Sequence, residues 1–220
     1  MNSILLRSKS NVTINLGLIK QNEFFRLLHP HSIARFSTMT EEVDSLGLPN
    51  QEEVEEANQR FQGIVQIKGT VAKGWGVFAQ KNFSKDDIVI VGKASARTAN
   101  KTRHTAQKDW NEHIWFELPA LYLNHSCDAK LGIQDNEHGA YDFVARKDIR
   151  EGEEVNIDYE TFEWQIQPFQ CLCGSSRCRG MLRGFKYSKD PRMQSYGQKF
   201  IANYLKGSIP QLEKGNVTAK

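Results

Sequence analysis

All four cysteines of this 220-residue chain fall into one pattern: Cys127 inside Asn124-His125-Ser126-Cys127-Asp128, then Cys171, Cys173 and Cys178 inside CLCGSSRCRG. Three clustered thiols plus one brought from elsewhere form the donor set of a tetrahedral four-thiolate zinc site. Such a site is structural, because four sulfurs leave no position open for a water. It would tie the C-terminal segment to the body of the protein and close one wall of any pocket beside Asn124 and His125. Two other readings stand beside zinc. Disulfides need an oxidising compartment, and the chain shows no secretory leader with an apolar core and small-residue cleavage site. Cys171 and Cys173 are also too close to bridge each other comfortably. Four unrelated core thiols are the blander reading, since free cysteine is often buried. The spacing CxCGSxxCRG downstream of NHSC favours zinc.

The length suits one domain with extensions. Hydrophobic residues make up 39% and charged residues 25%, as in an ordinary globular protein. No run of about 18 apolar residues suggests a membrane span. A net charge of +3 is too small to argue direct nucleic-acid binding. The charge is unevenly spread. Residues 1–38 carry Arg7, Lys9, Lys20, Arg26 and Arg35 against Glu23. That block reads as a transit peptide, or else as a disordered tail that targets nothing. Ala34-Arg35-Phe36-Ser37-Thr38 resembles a mitochondrial processing site, and Met39 offers an internal start. The expected location is mitochondrial if the leader is processed, and nuclear or cytoplasmic if Met39 is used. Residues 39–60 are acidic and read as a solvated linker or short exposed helix.

From Phe61 the elements that must hold the thiols read as short strands. Ile64–Lys68, Trp75–Ala79 and Ile88–Val91 are β-branched or aromatic runs flanked by turn residues. A weak internal echo pairs Val77–Phe83 with Phe143–Ile149, each followed by a charged turn and a strand. Two such copies suggest two similar β-lobes facing each other. Residues 93–113 are polar and read as a surface loop or short helix, with His104 and His113 as surface residues. Past Gly184, Pro191 opens an expected helix in which Phe200, Ile201, Tyr204 and Leu205 sit at helical spacing.

Gly74-Trp75-Gly76-Val77, then Asn124-His125-Ser126-Cys127-Asp128, then Gly152-Glu153-Glu154-Val155 leading to Asp158-Tyr159, then CxCGSxxCRG, resemble the SET-domain protein lysine methyltransferases with a post-SET zinc segment. The resemblance covers about residues 62–186. It implies a mainly β fold: a β-clip-like SET domain of short sheets with knot-like threading at 62–165, a post-SET zinc segment at 166–186, and a C-terminal helix and tail at 187–220. It also implies S-adenosylmethionine as cofactor and a protein carrying a lysine, histone or other, as substrate and partner. A monomer is expected. By the same resemblance, Gly74, Trp75 and Gly76 would line the cofactor's methionine end, and Asn124 and His125 would contact it. Leu172 would pack near the adenine, Tyr159 would sit where the methyl passes, and Cys127, Cys171, Cys173 and Cys178 would hold the zinc.

The residue types suit that chemistry. Methyl transfer from a sulfonium to an amine is an in-line displacement, in which positioning is the main lever. The lysine must arrive neutral, which a desolvated channel promotes. Tyr159 can orient the amine, though a phenol with an ordinary pKa of about 10 is no strong base. Glycines at 74 and 76 allow close backbone approach, or they simply form a hairpin turn. Two departures from the family pattern stand out. Ile157 occupies the position two before the tyrosine, usually Phe or Tyr, and cannot hold a water that would block further methylation. Lys130 stands where Asn is frequent. The competing reading is a catalytically inactive, zinc-stabilised SET-fold protein-binding module; methylation of a non-lysine amine is a third.

Overall fold

The computed structural model describes residues 48–71, 73–188, 193 and 196–208. The basic block at 1–38, Met39 and Pro191 lie outside the described residues. Helix α1 (Gln51–Arg60) begins with Glu52 and Glu53 and ends at Arg60, a charge order that suits its dipole. Val54 and Ala57 on its inner face pack on Ile67, with Trp75, Leu118 and Tyr122 at the margin. The Asn58 amide bonds the backbone of Ile67 twice, donating from Nδ2 to the carbonyl at 3.0 Å and accepting the N–H at 2.7 Å. A side chain thereby stands in for the missing strand at a sheet edge. Of the two readings of the acidic stretch, residues 51–60 form the short helix, exposed apart from Val54, Ala57 and, in part, Asn58.

Twelve strands follow among the described residues: β1 (Val65–Thr70), β2 (Gly74–Ala79), β3 (Ile88–Val91), β4 (Ala94–Thr98), β5 (Ala106–Asp109), β6 (Glu112–Phe116), β7 (Asn124–His125), β8 (Leu131–Asp135), β9 (Tyr141–Ala145), β10 (Glu154–Ile157), β11 (Phe169–Gln170) and β12 (Met181–Leu182). They form four small sheets, in the orders β1-β2-β10-β7, β3-β9-β8, β4-β6-β5 and β11-β12. Tyr141, Phe143, Ile114, Leu131 and Ile133 are fully buried and form the centre of the core. Among the described residues no helix is long and apolar enough to cross a membrane.

The internal echo has a structural meaning. Strand β2 of the first copy pairs with β10 of the second, and β9 of the second pairs with β3 of the first. The two anchors, Phe83 and Ile149, bond each other's backbone in both directions at 2.9 Å. Asp86 and Gly152 occupy the same place in the two charged turns, and both have positive φ, 75° and 84°. The lobes do not merely face each other; they exchange strands.

Three expectations are corrected. Residues 93–113 supply most of a three-stranded antiparallel sheet, β4-β6-β5, not a loop or helix. His113 on β6 is only 7% exposed, not a surface residue, and neither ring nitrogen has a hydrogen-bond partner. Where Phe200, Ile201, Tyr204 and Leu205 were expected on one helix, Gln198–Phe200 forms a 3-10 turn and Asn203–Lys206 a one-turn helix, α2. Ile201 between them is extended. The segment still packs on the domain. Ala202 N–H donates to Thr161 O at 2.9 Å, and Tyr204 hydroxyl donates to Phe162 O at 2.7 Å.

Candidate active site and thiolate centre

The two glycines of Gly74-Trp75-Gly76 serve different ends. Gly74 has φ +71° with open space around it, so it is the turn residue. Gly76 is the residue of close approach: a Cβ there would lie 2.9 Å from Thr70 Cγ2, 3.0 Å from Asn124 Nδ2 and 3.1 Å from Glu154 Oε1. Antiparallel pairing of β2 with β10, and parallel pairing of β10 with β7, carry the glycine strand, Tyr159 and Asn124 into one neighbourhood. The segment around Asn124 and the strand before Tyr159 therefore lie side by side.

Asn124 Nδ2 donates to Trp75 O at 3.0 Å and to Glu154 Oε1 at 2.9 Å. Glu154 Oε2 is itself held by Lys73 Nζ at 2.8 Å. With both amide protons committed, Oδ1 is the atom left to accept from a ligand ammonium. Trp75 is half-buried, its ring 6.1 Å from that of Tyr122.

His125 is buried, and both ring nitrogens face protein. Nδ1 accepts the Tyr159 N–H at 3.3 Å, and Nε2 lies 3.3 Å from Cys127 Sγ. That arrangement puts the proton on Nε2, where it donates to sulfur. Burial, and after it the Arg179 guanidinium, push the imidazole pKa down to about 3, so the ring is neutral. Any ligand contact of His125 therefore falls to its backbone.

Tyr159 opens a 3-10 turn, Tyr159–Thr161, whose first residue is capped by Asp158 through Glu160 N–H. Its hydroxyl donates to Leu123 O at 3.0 Å. The ring packs 5.3 Å from His125 and 5.9 Å from Phe162. Burial, reinforced by the charges of Glu154 and Glu163, pushes the phenol up to about 12. It stays protonated at neutral pH.

The four cysteine sulfurs converge, all within 4.8 Å of one another. Cys127 and Cys171 Sγ are 3.7 Å apart. A tetrahedron with metal–sulfur bonds of about 2.3 Å has edges of ~3.8 Å. Arg179 N–H donates to Cys127 Sγ at 3.3 Å and Gly180 N–H to Cys178 Sγ at 3.4 Å, contacts that favour thiolates. Leu182 and Ile166 pack the site from below. The donor set fits zinc. Leu172, by contrast, is 81% exposed.

Three groups around the site carry contacts that motif reading left without a role. Glu154 aims Asn124, although GEE is a commonplace string. The Leu123 carbonyl holds the phenol, and no side-chain pattern announces a carbonyl. Arg179, inside the quoted CRG, bonds Asp158 and pairs with Glu160.

A family model described as the SET domain matches residues 74–160. The Drosophila melanogaster histone-lysine N-methyltransferase Set2 is 26% identical over 151 residues, covering 58% of this chain and 6% of that protein. The Homo sapiens histone-lysine N-methyltransferase SETD2 is 27% identical over 153 residues, covering 58% and 6%. The Aspergillus flavus methyltransferase flvH is 33% identical over 87 residues, covering 38% and 47%. The matched segment is thus a small part of each of these two histone-lysine methyltransferases. Among solved structures, the methyltransferase domain of human SETMAR aligns at 19% identity and a TM-score of 0.44, over 55% of this chain and 58% of that one. Residues 74–160 thus match the SET domain, with the NHSC and DY motifs in their family order.

Proposed function

We propose that the chain is an S-adenosylmethionine-dependent protein-lysine N-methyltransferase. The observation that carries this reading is that β10, paired with β2 on one side and β7 on the other, sets Asn124, which touches Gly76, beside the strand leading to Tyr159, with the phenol pinned to Leu123 O. A pure binding module needs neither that phenol nor an aimed asparagine. S-adenosylmethionine, when bound, supplies an electrophilic methyl. Asn124 Oδ1 would accept from the cofactor's ammonium, and the missing side chain at Gly76 leaves room for the Asn124 amide that is aimed there. Tyr159 holds its own proton against Leu123 O, so its oxygen lone pairs face the incoming amine. The phenol then accepts an amine N–H and turns the nitrogen lone pair toward the methyl. With its pKa near 12 it orients the nucleophile and does not deprotonate it. The lysine loses its proton to water before the burial of the channel shuts water out.

The relatives' names describe histone lysine as their target; for this chain the substrate is a lysine of a protein, histone or other. The composition of residues 1–38 supports mitochondrial import, and a start at Met39 supports nuclear or cytoplasmic residence. Incubation of the protein with labelled S-adenosylmethionine and nuclear, cytosolic and mitochondrial extracts tests both points. A labelled protein band is expected from one extract, with the label lost on Tyr159→Phe. Saturable cofactor binding without transfer to any protein would instead establish the inactive binding module.

A further inference from the structure

Arg179 stands between the sulfur cluster and the turn that carries Tyr159. Its backbone N–H donates to Cys127 Sγ, so its place depends on where the sulfurs are held. Its side chain forks onto Asp158, with Nη1 to Oδ2 at 2.6 Å and Nη2 to Oδ1 at 2.5 Å. Nε lies 3.0 Å from Glu160 Oε2, an ion pair without hydrogen-bond alignment. Asp158 and Glu160 are the two residues flanking Tyr159. The three charged side chains are almost wholly withdrawn from water: 5% exposed for Arg179, 0% for Asp158 and 4% for Glu160.

Each carboxylate then reaches further. Asp158 Oδ1 accepts Glu160 N–H at 3.2 Å, and its carbonyl accepts the Thr161 hydroxyl at 2.7 Å. Glu160 Oε1 accepts the backbone N–H of Arg183 and of Gly184, and Oε2 accepts the Ser188 hydroxyl at 2.8 Å. One guanidinium thus serves two buried carboxylates, and a buried carboxylate left without its cation is strongly disfavoured. A planar fork can meet both; a lysine ammonium is a single point and cannot. His125, bonded to Cys127 Sγ on one side and Tyr159 N–H on the other, runs parallel to this path.

We propose that Arg179 is a positioning residue, a latch through which a metal-loaded sulfur cluster holds the Tyr159 turn in its working place. The proposal deepens the methyl-transfer reading and rests on it for its kinetic consequence only. Hydrogen–deuterium exchange on the full chain tests it, comparing zinc-loaded protein with protein stripped by a chelator. Stripping is expected to deprotect the amides of Glu160 and Thr161 while those of β8 and β9 keep their protection. Arg179→Lys is expected to retain its zinc by elemental analysis yet show that deprotection already. Its kcat should fall roughly 10- to 100-fold, the scale of a displaced reacting group, with little change in KM for S-adenosylmethionine. A variant that keeps both native protection and native kcat overturns the latch, as does a stripped native chain that stays protected at 158–161. If Arg179→Lys loses its metal or fails to fold, the stripping experiment on the native chain decides alone. If the native chain transfers no methyl, the proposed activity fails and the exchange data still judge the latch.

Discussion

The two glycines of the Gly74-Trp75-Gly76 run are separable by mutation. In Gly76→Ala, the new Cβ meets three atoms at 2.9 to 3.1 Å. None of the three is free to swing away. Thr70 is held by its hydroxyl, which donates to Gly74 O at 2.9 Å; Glu154 is held by Lys73; and Asn124 is held by Trp75 O. Overpacking of this kind costs about 1–3 kcal/mol. At about 2–4 °C per kcal/mol for a domain of this size, the melting temperature should fall by roughly 2–12 °C. The displaced Asn124 also loses its aim at a charged ligand group, a hydrogen bond worth about 1.5–3 kcal/mol. S-adenosylmethionine should then bind roughly 10- to 150-fold more weakly. In Gly74→Ala, the new Cβ meets nothing, and the cost is only that of a left-handed alanine, about 1–2 kcal/mol. It should lower the melting temperature and leave cofactor affinity within about twofold, because no contact to Asn124 is disturbed. Thermal melts and titration calorimetry on both variants suffice. If Gly74→Ala weakens binding as much as Gly76→Ala, the close-approach argument is wrong and both glycines merely shape a hairpin.

Ile157 is buried opposite His125 and offers no polar atom to hold a blocking water. On the proposed activity, the native chain should therefore go beyond monomethyl-lysine, and Ile157→Tyr should shift the product toward monomethyl; intact-mass spectrometry showing only monomethylation by the native chain refutes this. Burial, and after it the charge of Lys101, hold the His113 pKa below its ordinary value. The unfolded chain then binds a proton that the folded chain refuses, so stability falls as pH drops through about 6.5 and below. His113→Leu should remove that acid-side loss and relieve two unpaired buried nitrogens, with a gain of about 1–3 kcal/mol; melts at pH 5.5 and 7.5 showing an undiminished pH difference in the variant would count against it.

The residues with unusual spacing were legible in the sequence, and those acting through burial were not. Cys127, Cys171, Cys173 and Cys178 announce themselves because thiols are scarce and metal spacing is restrictive, and the four sulfurs do converge. The strands from Val65 to Val91 follow from β-branched runs. Residues 93–113 misled because Lys, Asn, Thr and Gln weaken the alternation that marks a strand. Their sheet is set by pairing of β4 and β5 with β6, which carries Ile114 and Phe116 inward. Arg179, Asp158 and Glu160 went unread for a different reason. Charged residues are almost always solvated, so nothing local marks three of them for the interior. Only their mutual pairing makes that burial tolerable, and pairing is a property of the folded chain.

The exchange of strands between the two copies explains why motifs so far apart in sequence share one site. Pairing β2 with its own copy's β3 would have left the glycine strand apart from the Tyr159 strand. Pairing β2 with β10 sets Val77 opposite Val155 and leaves Gly74–Gly76 running past the strand that ends at Ile157. The free side of β10 then accepts β7 in parallel, which brings Asn124 opposite Asn156. Phe83 and Ile149, locked backbone to backbone at the crossing, keep the two turns from sliding. A register slip of one residue at β10 would turn Val155 and Ile157 outward and carry Glu154 away from Asn124. The apolar alternation that buries Val155 and Ile157 is thus also what points Glu154 at the asparagine. Core packing and the aim of the site are consequences of the same register.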